Sequence, residues 1–239
     1  MVLGFYDKPS PARLPHPPIR LPVLLVIEHA LCAAWELLRT RPRVGFNLSS
    51  ADEDVVTLEF YEALFDRVFD KGIVKGFDRQ VFCSVTREPK IRNYNYKHPD
   101  KMPDLFIRLV GRPISLRNSQ DGLFIECKPV DTGHAVREHY CKKGMIRFIR
   151  GEYAWAMTNA MMVGYARKGY TISPKLIDAL KSPPKGISSI TLPRPCRQSK
   201  AGTNSEAVYC TVHARTFKYG ETGELAPPIT IRHLWLKRE

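Results

Sequence analysis

The six cysteines, at 32, 83, 127, 141, 196 and 210, include no CxxC pair and no Cys/His cluster of zinc spacing, which excludes the common structural-zinc and dithiol chemistries. Cys32, Cys83, Cys127 and Cys210 lie in apolar runs and read as buried thiols, for which a reducing cytoplasm is the simplest compartment. No G-x-x-x-x-G-K-[ST] occurs, so no ATP site is expected, and no G-x-S-x-G nucleophile elbow occurs either. No internal repeat is evident. Long apolar runs are scarce. The one at 21–35 carries Glu28 and His29 and is too short to span a bilayer. Asp7, Pro9, Pro11 and Pro15 stand where a signal peptide needs an uninterrupted apolar stretch. Acidic residues are also in short supply. Asp and Glu number 24 against 37 Lys and Arg, a net charge of +13. That balance suits a polyanion such as nucleic acid, and equally a basic subunit docked on an acidic one.

The chain holds 239 residues, 44% of them hydrophobic, with a mean hydropathy of −0.27, enough for one sizeable core. Residues 1–20 are Pro-rich and read as an extended arm. The stretch 21–40 is a helix stopped by Pro42, and 44–51 is a linker. A second helix is expected at 52–71, with Ser50 as its N-cap and Asp52, Glu53 and Asp54 in its first turn. Val56, Phe60, Leu64 and Val68 form its buried stripe, which Glu53 continues towards the helix start. Residues 81–85 form a short strand. The stretch 87–101, REPKIRNYNYKHPDK, interleaves Arg92 and Lys97 with Tyr94 and Tyr96. It can follow a nucleic-acid backbone and stack on bases, or form a solvated loop whose tyrosines cover a strand. A helix at 134–150 turns Tyr140, Met145 and Phe148 inward, with Lys143 and Arg147 on a basic surface. Strands follow at 159–165, 207–214 and 229–236, with a helix at 173–180 and a basic loop at 181–205. His213, Arg215 and His233 alternate with apolar residues and read as ordinary strand positions. The fold expected is α/β, a single domain with a mixed central β-sheet flanked by helices and an N-terminal extension.

The rest is organised around 102–130, MPDLFIRLVGRPISLRNSQDGLFIECKPV. Two apolar strands, 102–110 and 123–130, are joined by a turn rich in Gly, Pro, Asn and Asp. Strand alternation puts Glu126 and Lys128 on one face and Cys127 on the other. If the strands pair, Asp104 lies beside Glu126. Two carboxylates on a buried strand are costly unless paired or bound to a metal, and hard oxygen donors suit Mg²⁺ or Mn²⁺. A solvated Glu/Lys pair at an exposed strand end is the plain alternative.

PD followed by a hairpin-length gap and ECK resembles the PD-(D/E)XK nuclease superfamily, with its restriction-endonuclease-like fold. The likeness extends to the helix beginning ADEDVVT, to HYCKKGMIRFIRGEYAWAMTNAMMVGY, and to the strand ends YCTVHAR and ITIRHLWL. That layout is similar to small bacterial members found among defence genes. It covers most of 51–236, which divides the chain into an arm plus helix, 1–50, and a nuclease-like domain, 51–239. The resemblance implies a Mg²⁺- or Mn²⁺-dependent DNA nuclease of antiviral defence or restriction. Asp104, Glu126 and the Cys127 carbonyl would hold the metal and Lys128 would orient the attacking water. A third acid comes from the first core helix, where Glu53 is the choice, Glu62 the alternate and Glu28 the outsider. Arg147 and Tyr140 would approach a phosphate, with Lys143, Arg92 and Lys97 as further nucleic-acid contacts. A non-catalytic nucleic-acid-binding or scaffold subunit of a defence complex, and an RNA nuclease, are the competing readings. Double-stranded DNA, a partner from a defence operon and a second copy of the chain are the partners implied, and no membrane.

Overall fold

The structure is a computed structural model that describes residues 14–112, 114, 116–167, 169–196 and 208–239. Seven strands form one mixed sheet, in the order β1-β2-β3-β4-β7-β6-β5. They are β1 Phe82–Arg87, β2 Leu105–Leu109, β3 Gly122–Val130, β4 Asn159–Ala166, β5 Ser189–Pro195, β6 Tyr209–His213 and β7 Ile229–Lys237. β3, β4 and β7 run parallel at the centre, and antiparallel strands flank them on both sides. The α/β architecture expected from the sequence is therefore present. The central strands are apolar on both faces because helices cover both.

On one face lie α1, Leu21–Thr40, and α2, Glu53–Glu62, which continues through a π-wound stretch, Ala63–Phe69. Trp35 of α1 stacks on Tyr165 of β4 with centroids 5.3 Å apart, and Phe60 of α2 meets both edge-on. α1 is the one helix among the described residues long and apolar enough to cross a membrane. Here it is a core helix, with Ile27, Ala30, Leu31 and Ala34 fully buried. The opposite face carries a π-wound helix, Val136–Met145, that runs into α3, Ile146–Ile149, and then α4, Ile172–Lys181. Tyr140 and Phe148 bury their rings there.

The N-cap of α2 is Asp52 rather than Ser50, which sits in a turn two residues too early to close the helix. The stretch 181–205 is not a plain loop. Its described part contains β5, an edge strand, where Pro193 and Pro195 are tolerated because an edge has no partner on one side; 197–207 lie outside the described residues. Cys210 is not a free thiol. It is bonded to Cys196, which the antiparallel β5–β6 pairing brings alongside it. Cys127 is buried as expected, whereas Cys32 is only partly buried and Cys83 is exposed.

The described end of the arm lies on the core. His16 N–H donates to the Ala156 carbonyl at 2.8 Å, and Ile19 N–H donates to Asn159 Oδ1 at 3.0 Å. Leu14 joins Trp155, Phe217 and Tyr219 in a satellite apolar cluster apart from the main core. Residues 1–13 of the arm lie outside the described residues.

Candidate active site

β2 and β3 pair through Leu105 and Ile125, and the register one step further sets Asp104 opposite Glu126. Asp104 is fixed by an N–H from its neighbour strand: Cys127 N donates to Asp104 Oδ2 at 2.6 Å. Glu126 and Lys128 project to one face of β3, and Lys128 Nζ lies 3.1 Å from Glu126 Oε1 and 3.6 Å from Asp104 Oδ2. The same ammonium donates to Glu53 Oε1 at 2.7 Å and to the Cys127 carbonyl at 2.8 Å. Glu53 is the first residue of α2, whose positive end favours a carboxylate. Thr57 of α2 bonds the Tyr165 hydroxyl at 3.1 Å, which pins the helix start to the sheet.

Glu126 is fully buried and is held from the other side. Arg147 Nη1 donates to Glu126 Oε1 at 3.0 Å, and the Tyr153 hydroxyl donates to Oε2. Arg147 is thus a carboxylate partner whose side chain remains 38% exposed. Tyr153, which the sequence reading did not single out, sits in the irregular stretch between α3 and β4, where no periodicity marks it. Gly144 also belongs to the site. A Cβ there would stand 2.8 Å from Met162 Cε and 3.2 Å from Lys128 Cγ, so its missing side chain lets the helix approach the charged cluster.

The electrostatics follow from crowding. Burial, then the Glu126 charge, raises the Asp104 carboxyl to about 7, against the opposing pull of Lys128 and the Cys127 N–H. Burial alone would depress Lys128, but Glu126, Asp104 and Glu53 together hold it well above an ordinary lysine. Lys128 is therefore an ammonium; it donates to Glu53 and the Cys127 carbonyl and is ion-paired with Glu126.

The other expectations divide. Tyr140 is fully buried, with its hydroxyl 3.0 Å from His233 Nδ1, so it is a core residue that no phosphate can reach. Lys143, Arg92 and Lys97 are exposed and free to meet a polyanion. Glu28 lies on the α1 face in a buried ion pair with Arg232 of β7, away from the cluster. Glu62 is exposed at the end of α2, near the Arg43–Glu59 pair. Of the three helix acids, only Glu53 joins Lys128. His213 and His233 are buried at their strand positions and share Thr211 Oγ1, at 2.7 and 2.8 Å.

Among the described residues, no group of three or more His, Cys, Asp and Glu side chains is gathered closely enough to hold a metal by itself. The chemistry of the donor set nevertheless suits a hard divalent cation, with two carboxylates and a main-chain carbonyl facing one point. Lys128 Nζ stands there as the cation. Compared with known protein families, curated proteins and solved structures, the chain matches none.

Proposed function

We propose that the protein is a metal-dependent nuclease that hydrolyses DNA phosphodiesters, and that Asp104, Glu126, Lys128 and Glu53 form its active site. The observation that carries this reading is the convergence of three acids from three elements on one lysine, at 2.7 to 3.6 Å. A divalent cation held by Asp104, Glu126 and the Cys127 carbonyl would polarise the phosphoryl oxygen and stabilise the leaving oxygen. Lys128, fixed as an ammonium, acts as a donor: it orients the attacking water or neutralises charge growing on the phosphate. To do so it must release one partner. Glu53, at 34% side-chain exposure, is the one whose release leaves no buried charge behind. The freed Glu53 carboxylate then takes the proton of the attacking water. Tyr153 and Arg147 hold Glu126 in place throughout. Lys143, Arg92 and Lys97 are the exposed contacts proposed for the backbone, and the excess positive charge of the chain draws the polyanion in.

A role in bacterial antiviral defence or restriction and a defence-operon partner are proposed from the sequence resemblance, and a dimer from the two sites that double-strand cutting needs; the cytoplasmic location rests on the cysteine reading, and the Cys196–Cys210 bond weighs against it. A second reading, a non-catalytic nucleic-acid-binding or scaffold subunit, draws support from the engaged state of the cluster, in which Lys128 is already bonded to Glu53 and the Cys127 carbonyl and ion-paired with Glu126. Cleavage of supercoiled plasmid, with single-stranded DNA and RNA controls, in Mg²⁺, Mn²⁺ or EDTA separates the two. Metal-dependent cutting that disappears in Lys128→Ala and Glu126→Gln is expected. Binding without cutting by the wild type establishes the second reading.

A further inference from the structure

A second built feature lies on the same face of the sheet as the carboxylates. Phe106 follows Asp104 by two residues and stacks on Phe124, which precedes Glu126 by two, with centroids 4.4 Å apart. Two residues along a strand is about 7 Å. There a pocket of about 350 Å³ opens, walled by Tyr96, Phe106 and Trp155 and rimmed by Lys90, Arg92 and Arg117. Gln120 lines it as well. That side chain is only 7% exposed, and its Oε1 is buried with no hydrogen-bond partner among the described residues. A buried amide oxygen without a donor is costly, and this one belongs to a residue that lines the pocket.

Contacts outside the pocket hold its walls. Trp155 is 1% exposed, belongs to the satellite core, and donates its ring N–H to the Arg92 carbonyl at 2.8 Å. Tyr96 is partly exposed and lies under the Arg117 guanidinium, 4.6 Å away, with Glu221 bonded to both. Gly122 lets the Phe106 ring lie against the strand, since a Cβ there would stand 2.6 Å from it. The backbone is strained around this pocket. Four non-glycine residues, Glu88, Tyr96, Arg117 and Ala154, have φ between 47° and 60°. Tyr96 and Arg117 line the pocket, and Glu88 and Ala154 directly precede the lining residues Pro89 and Trp155. Strain of this kind persists where the surroundings hold it, and it clusters at binding sites.

We propose that this pocket takes one unpaired nucleobase of the nucleic-acid strand whose phosphate lies at Asp104 and Glu126, with Gln120 reading the base edge. This deepens the nuclease reading and rests on it for the position of the strand. The aromatic walls supply stacking, which is tolerant of base identity. The free Gln120 oxygen supplies selection. It accepts from the exocyclic amino group of cytosine, where uracil and thymine present a keto oxygen that repels it and leave only the ring N3–H as a donor. Lys90 and Arg92, exposed at the rim, meet the flanking phosphates.

The test compares fluorescein-labelled oligo(dC) and oligo(dU), pyrimidines that differ at the amino or keto position, by fluorescence anisotropy in EDTA so that no cutting occurs. The wild type is expected to bind oligo(dC) about tenfold more tightly, a difference of about 1.4 kcal/mol. Gln120→Leu should bring the two strands within about twofold of each other. Tyr96→Ala, at a partly exposed position, should weaken both by about tenfold and keep their order, which guards against a Gln120 variant that does not fold. Equal binding of both strands by the wild type, no binding of either, or a preference that survives Gln120→Leu overturns the proposal. The same strands incubated with Mn²⁺ keep the two readings apart. Cutting without base preference sinks the pocket alone, whereas base preference without cutting supports the pocket and removes the nuclease.

Discussion

Glu53 and Lys128 are 75 positions apart in sequence, and their carboxylate and ammonium meet at 2.7 Å. One opens a helix and the other stands near the end of a central strand, so this bond ties α2 to β3 at the point where the other two carboxylates gather. The cluster is a junction of the fold as well as a candidate site.

Removal of the ammonium should therefore be felt in stability. Lys128→Met leaves Glu53, Asp104 and Glu126 without their shared cation, and breaking a buried pair costs about 3 kcal/mol or more. Thermal unfolding should show a large loss at pH 8 and a smaller one at pH 5, where a carboxyl can take a proton instead. Millimolar Mg²⁺ should restore part of the loss at pH 8 if the donor set accepts a divalent cation. A variant as stable as wild type at both pH values would show that the cluster is not cohesive.

Asp104 sets a pH dependence of known sign. Its folded value of about 7 lies above the ordinary aspartate value of 3.8. Between those limits the folded chain keeps a proton that the unfolded chain has released. The contribution to stability therefore falls as pH rises from about 4 to 7, by at most about 1.4 kcal/mol per unit, and is flat above 7. Subtracting the denaturation curves of Asp104→Asn from those of wild type isolates this slope, and a difference that rises with pH contradicts it. Divalent-cation affinity should increase over the same window, since the proton must leave before a metal can bind.

Tyr153→Phe removes one hydroxyl and no carbon. It leaves an oxygen of the fully buried Glu126 with one donor fewer, a loss of about 1–3 kcal/mol. Cleavage should fall further than stability alone explains, because Glu126 is then free to rotate. Restoring the folded fraction at lower temperature should not restore the rate; full recovery on cooling would assign Tyr153 to packing only.

Two glycines separate site from scaffold. Gly164→Ala drives a Cβ to within 2.5 Å of the Trp235 ring, deep in the sheet, and should cost about 1–3 kcal/mol. Gly144→Ala meets the movable end of Met162 and the Lys128 stem. It should cost less in stability and more in activity. Melting temperature and cleavage rate measured on both variants should rank them in opposite orders, and the same order in both assays would place Gly144 among the scaffold residues.

Much of the fold was legible because the physics behind it is local. Alternation and turn residues marked β2 and β3, and apolar stripes marked α1 and α2. The β5 strand escaped because its seven residues, SITLPRP, include two prolines inside a Pro-, Ser-, Gly- and Lys-rich stretch, and an edge needs only one partner. Cys196–Cys210 escaped because the pairing that joins the two cysteines is a property of β5 against β6 and not of either run. The PD…ECK spacing pointed to Asp104, Glu126 and Lys128, and strand periodicity alone put the last two on one face.

By itself the sequence determined which residue types occupy each face of each element, and so which carboxylates are buried on β3. It left Glu53, Glu62 and Glu28 as rivals, since each is an acid on an amphipathic helix. Packing decided among them, placing the α2 start against the strand end, Glu28 against Arg232 and Glu62 in solvent. The surroundings of Tyr153, Gly144 and Gln120 were likewise fixed only in three dimensions. Their partners come from distant segments, and no local pattern encodes a contact that chain folding alone creates.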